Sequence, residues 1–113
     1  MKPIFNRVLL KLSGEGLMGN KGFGVDAEIV ASLAEEISTV RKLGVQVCLV
    51  IGGGNFFRGA KNASEGMDRS VADQVGMMAT LMNALVMKTA LERAGCPAEI
   101  YSGLVMPQVC ETY

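Results

Sequence analysis

The stretch Val45-Gln-Val-Cys-Leu-Val-Ile51, running straight into Gly52-Gly-Gly-Asn-Phe-Phe-Arg-Gly59, constrains the fold more than any other part of the chain. A nearly unbroken apolar run rich in valine reads as a strand covered on both faces, which places it inside a parallel α/β sheet. The usual binding crevice of such sheets lies beyond the carboxyl ends of the strands. Successive glycines there let backbone N–H groups approach an anion with no Cβ in the way. Arg58 adds a planar, permanently charged fork suited to phosphate oxygens. A glycine run can also be a plain tight turn, but the strand before it and the arginine after it favour phosphate.

The 113 residues give room for one domain. A formal net charge of zero with half the residues apolar suggests neither a disordered chain nor a nucleic-acid-binding surface. Cys48, Cys96 and Cys110 are odd in number and widely spaced, and there is no histidine, so neither a zinc site nor a disulfide framework is expected. The apolar run Val8–Leu12 is too short for a signal peptide, and no stretch reaches membrane-spanning length. The expectation is a reduced, cytoplasmic protein with no membrane or nucleic-acid partner.

Residues Asn6–Leu12 read as a first strand ending in Lys11, Leu12 and Ser13-Gly14. A lysine near the end of a buried strand must reach solvent or meet a negative partner. With a second glycine loop ending the neighbouring strand, a phosphate is the favoured partner. Gly14-Glu-Gly-Leu-Met-Gly19 matches the literal dinucleotide-binding pattern. That pattern needs its glycines to open a helix, whereas Asn20-Lys-Gly-Phe-Gly24 follows, so a glycine-rich hairpin or flap over the strand ends is expected instead.

Asp26 is placed to cap a helix over 27–43, with Ile29, Leu33, Ile37 and Val40 at helical spacing and Gly44 ending it. Strand, helix and strand then make a βαβ unit. After a polar linker over 60–66, a long helix is predicted over 68–94, apolar on nearly every side, which suits burial plus a subunit interface. Asp73 near its amino end either complements the helix dipole or accepts hydrogen bonds from sugar hydroxyls; spacing alone does not choose. A third strand is expected over 98–102, with irregular chain beyond Gly103.

Taken together, Lys11-Leu-Ser-Gly14, Gly52-Gly-Gly-Asn-Phe-Phe-Arg-Gly59 and Asp73-Gln-Val-Gly-Met-Met-Ala-Thr80 resemble the bacterial uridylate (UMP) kinase family of the amino acid kinase superfamily. The resemblance implies a three-layer α/β/α sandwich with a mainly parallel sheet. The 113 residues would be its amino-terminal, UMP-side portion, with the ATP-binding half absent. It implies transfer of phosphate from ATP to UMP. Lys11, Leu12, Ser13, Gly14, Gly54 and Arg58 would face ATP, Lys11 and Arg58 would act on the transferred group, and Gly53 and Asp73 would hold UMP. Gly19, Asn20, Lys21, Gly22, Phe23 and Gly24 would form a GTP-activation segment, with UTP as an inhibitor. Mg²⁺ would accompany ATP, its ligands lying in the missing half, and the assembly would be a homo-oligomer, hexameric in the family. The isolated chain is then expected to be inactive. A non-catalytic nucleotide-binding or oligomerisation module, and a related amino acid or carbamate kinase, are the competing readings.

Overall fold

The computed structural model describes residues 2–57 and 65–112. Strand β1 (Arg7–Leu12) pairs in parallel with β2 (Gln46–Ile51), Arg7 opposite Gln46 through Leu12 opposite Ile51. Between them run a short helix α1 (Gly14–Met18), a 3-10 turn (Gly19–Lys21) and the crossover helix α2 (Ala27–Lys42). The long helix α3 (Arg69–Arg93) follows β2, and two-residue strands β3 (Tyr101–Ser102) and β4 (Glu111–Thr112) form a separate parallel pair. The fold is α/β with parallel strands, as expected.

Helix α2 starts where the sequence places it because the Asp26 carboxylate accepts from the backbone N–H groups of Glu28 at 3.0 Å and Ile29 at 3.3 Å. It ends where Gly44 adopts φ +91°, a conformation glycine takes without strain. Its inner face, Val30, Ala34 and Ile37, packs with Met87, Leu91 and Cys96 of the α3 region and with Leu17 of α1. Val47, Leu49 and Ile51 of β2 close this core from the sheet side. The Ser38 hydroxyl donates to the Ala94 carbonyl at 3.3 Å, fixing the end of α3 against α2.

The strand expected to be covered on both faces is covered on one. Val8, Leu10 and Leu12 of β1 share their face with Val47, Leu49 and Ile51, whereas Leu9, Lys11, Cys48 and Val50 lie on the other. Leu9 is 68% exposed and Val50 50% exposed, because both helices that pack on the sheet do so from the core side. Helix α3 is also only partly covered. Ala72, Ala79, Leu81, Asn83, Met87 and Leu91 are buried, while Val71, Val75, Met78 and Met82 face solvent. The radius of gyration, 15.2 Å, exceeds the roughly 13 Å of a self-contained domain of this length.

Two further expectations are corrected. The glycine-rich hairpin is absent: 14–18 are helical and 19–21 form a 3-10 turn. The Ser13 side chain caps this helix by accepting from the Gly16 N–H at 3.1 Å, and the turn buries Leu17 in the core. Those tertiary gains outweigh the poor helix propensity of two glycines. The third strand shrinks to Tyr101–Ser102 and gains the unforeseen partner β4, the Ile100 carbonyl accepting from the Glu111 N–H at 2.9 Å.

Gly19 sits at φ +56°, and a Cβ there would lie 2.6 Å from Ile29 Cδ1. Gly19→Ala should therefore lower stability by about 1–3 kcal/mol in urea denaturation, from backbone strain with a clash added.

Candidate functional site

The carboxyl ends of β1 and β2 converge with the middle of α3, and three chain segments meet there at backbone distance. The Gly52 N–H extends the ladder by donating to the Leu12 carbonyl at 2.9 Å. A Cβ on Gly14 would lie 2.5 Å from Asn55 Oδ1 and 2.6 Å from the Gly54 nitrogen. On Gly53 it would lie 2.8 Å from Ala79 Cβ and 3.0 Å from the Thr80 nitrogen. Both positions need glycine for want of space, not for a positive φ.

The loop then turns on itself, the Gly53 carbonyl accepting from the N–H groups of Phe56 and Phe57, each at 3.0 Å. No acceptor among the described residues pairs with the backbone N–H of Gly53 or Gly54, and both residues are partly accessible. Two adjacent N–H groups at the end of a parallel strand are suited to an anion.

Behind the loop lies a polar pair that sequence reasoning missed. Asn55 and Asn83 are 2% and 0% exposed and bond reciprocally, Asn55 Nδ2 to Asn83 Oδ1 at 3.1 Å and Asn83 Nδ2 to Asn55 Oδ1 at 2.7 Å. The remaining amide hydrogens go to the Gly24 carbonyl from Asn55 and to the Gly52 carbonyl from Asn83, both at 2.8 Å. Unpaired, such buried amides would each cost a few kcal/mol; saturated, they fasten the loop to α3. The only sequence signal was an asparagine interrupting the apolar pattern of α3 ten residues after Asp73.

The other expected site residues are placed as follows. Lys11 is exposed on the uncovered sheet face, one residue before the end of β1. Leu12 is half-buried, and the Ser13 hydroxyl is engaged in capping α1. Arg58 lies outside the described residues, as does most of the linker after it. Asp73 is exposed and accepts from Arg69 Nε at 3.1 Å. It shares its helix face with Gly76, Thr80 and Asn83, and Gly76 faces Phe57 of the loop, so Asp73 continues the row along which the loop lies.

The segment 19–24 does reach the site: the Gly24 N–H donates to the Asn55 carbonyl at 3.0 Å, and Phe23 meets Phe56 edge to face at 5.7 Å. Asn20, Lys21 and Gly22 are exposed. An unforeseen neighbour is Glu15, whose carboxylate lies against Gly54. The helix opening at Gly14 is only five residues long, and the crossover is made by α2. It therefore does not supply the long helix that a dinucleotide fingerprint requires.

Gly14→Ala forces its Cβ into Asn55 and the Gly54 backbone and should lower stability by about 1–3 kcal/mol in denaturant titration. Gly103→Ala, where a Cβ meets nothing within 4 Å, should change it by less than about 0.5 kcal/mol.

The model of the amino acid kinase family matches residues 6–108. The uridylate kinase of Paramagnetospirillum magneticum is 55% identical over 109 residues, covering 96% of this chain and 45% of the relative. That of Methylococcus capsulatus is 55% identical over 112 residues, covering 99% and 47%. Among solved structures, the UMP kinase of Bacillus anthracis superposes with a TM-score of 0.88 at 34% identity, covering 96% of this chain and 45% of that one. The UMP kinase of Ureaplasma parvum gives 0.87 at 32% identity, covering 97% and 46%. The chain thus spans under half the length of these relatives. Its motifs, its parallel βαβ unit and the match over residues 6–108 agree that the chain belongs to the amino acid kinase family.

Proposed function

We propose that this chain is the phosphate-acceptor portion of a UMP kinase and that the Gly52–Asn55 loop receives the phosphate on which transfer occurs. The observation that carries the reading is the pair of adjacent N–H groups at Gly53 and Gly54, which no acceptor among the described residues engages, on a partly accessible loop at the strand ends. The similarity to proteins named uridylate kinase supports uridylate as the acceptor. In the reaction, a UMP phosphate oxygen bonds to the γ-phosphorus of ATP as the bond to the ADP oxygen breaks, giving UDP. The acceptor is already ionised at neutral pH, so the protein's work is positioning and charge neutralisation, not proton removal.

Gly53 contacts UMP and Gly54 the ATP side in this scheme. Lys11 and Arg58 offset phosphate charge, and Leu12, Ser13 and Gly14 line the ATP phosphates through their backbone. Asp73 holds the UMP sugar, which requires it to exchange Arg69 for sugar hydroxyls. The Glu15 carboxylate lies against Gly54 and has to give way to a phosphate placed there.

The kinase family suggests a divalent metal with ATP. Among the described residues no three acidic or cysteine side chains converge. Segment 19–24 is the candidate for GTP control, opposed by UTP, since it touches the loop through Gly24 and Phe23. Homo-oligomer formation through the solvent-facing apolar residues of α3, and a cytoplasmic setting, complete the proposal. No helix among the described residues is long and apolar enough to cross a membrane.

Calorimetric titration of this chain with UMP, with uridine and NAD as controls, tests the reading. Saturable binding of UMP, weak or absent binding of uridine and none of NAD is the expected result. Binding of NAD in place of UMP would overturn it. Asp73→Asn should weaken UMP binding about tenfold, the scale of one lost hydrogen bond to a charged group, while leaving the circular dichroism spectrum unchanged. Phosphate transfer from ATP to UMP by the chain alone would contradict its assignment as the acceptor portion only.

A further inference from the structure

The buried amide pair does more than fill the space behind the loop. Two asparagine side chains offer four N–H hydrogens, and here all four are used: two between the amides, one on Gly52 and one on Gly24. Gly24 receives a second tie from the Asn55 backbone carbonyl, so it is held to Asn55 at both its N–H and its C=O. Asn55 is also the residue whose carboxamide oxygen faces Gly14 at a distance no Cβ could enter. One residue of the glycine loop is therefore tied to α3 and to segment 19–24 and packed against the start of α1.

An amide cluster with every donor engaged has no slack, since moving any member strands a buried polar group. A shift of segment 19–24 away from the loop would release the Asn55 carboxamide from Gly24. The Asn83 bonds to Asn55 and Gly52 would then have to rearrange, altering the direction of the adjacent Gly53 and Gly54 N–H groups. We propose that Asn55 and Asn83 are positioning residues that couple segment 19–24 to the anion-binding geometry of the glycine loop, so that occupation of the loop and closure of the segment favour each other. For the anion this rests on the phosphate reading above, whereas the coupling itself rests only on the amide cluster. Such coupling is reciprocal: a ligand that holds the loop holds the segment, and anything that displaces the segment weakens the ligand.

Hydrogen exchange of the Gly24 amide, followed by NMR on the whole chain, separates the two parts. Asn83 makes no hydrogen bond to Gly24, and the two are linked through Asn55, so loss of a bond by Asn83 reaches that amide only through Asn55. In the ligand-free Asn83→Ala chain, Gly24 exchange should rise about tenfold beyond any change at Ala34 and Ile37, whose amides in α2 report overall stability. A rise that merely follows Ala34 and Ile37, or no rise, overturns the coupling. A second measurement needs no variant: saturating UMP should slow Gly24 exchange in the wild-type chain, and unchanged exchange with UMP bound also overturns it. In a folded Asn83→Ala chain UMP affinity should fall about tenfold, and undiminished affinity contradicts the positioning role. Failure of the folded wild-type chain to bind UMP would sink the proposed function, and the ligand-free comparison would then decide the coupling alone.

Discussion

The approach of three backbones at the strand ends is the constraint on which the rest of the site depends. Gly14 lies over Asn55 and Gly54, and Gly53 lies on Ala79 and Thr80, at separations that exclude a side chain. Backbones packed so closely bring their polar groups with them, out of reach of water, and those groups need partners. Asn55 and Asn83 supply them from the side, at Gly24 and Gly52, while the N–H groups of Gly53 and Gly54 meet no acceptor among the described residues. Glycine provides the proximity and asparagine the satisfaction; neither would hold the loop alone.

The apolar surface left open is the complement of that ordered centre. The core formed by α1, α2, α3 and one sheet face is closed, yet Leu9 and Val50 on the opposite face and Val71, Val75 and Met78 on α3 face solvent. In a self-contained domain such residues would be core, because burying a leucine or valine side chain is worth about 1.5–3 kcal/mol. The relatives are more than twice as long as this chain.

Much of this was legible in the sequence, for reasons that differ by element. Helix α2 announced itself through Asp26, its apolar spacing and Gly44, all local signals. Strand β2 was plain from its valines, but an apolar run does not say whether both faces find partners within the same chain. The α1 helix was hard to read because Gly14, Gly16 and Gly19 argue locally for a turn, whereas the Ser13 cap and the burial of Leu17 favour the helix. At the site, the glycines and Asp73 stood out by type and spacing. Asn83 did not, since an asparagine inside a helix has no meaning until the loop it faces is in place.

The central claim is that the glycine loop itself receives the phosphate. It is tested most directly by following the backbone amide resonances of the ¹⁵N-labelled chain during titration with UMP. The account predicts that the largest shifts fall on Gly53 and Gly54, with smaller ones along α3 near Asp73. Saturable binding that leaves Gly53 and Gly54 unmoved, or that shifts Gly14 through Gly19 instead, would contradict it.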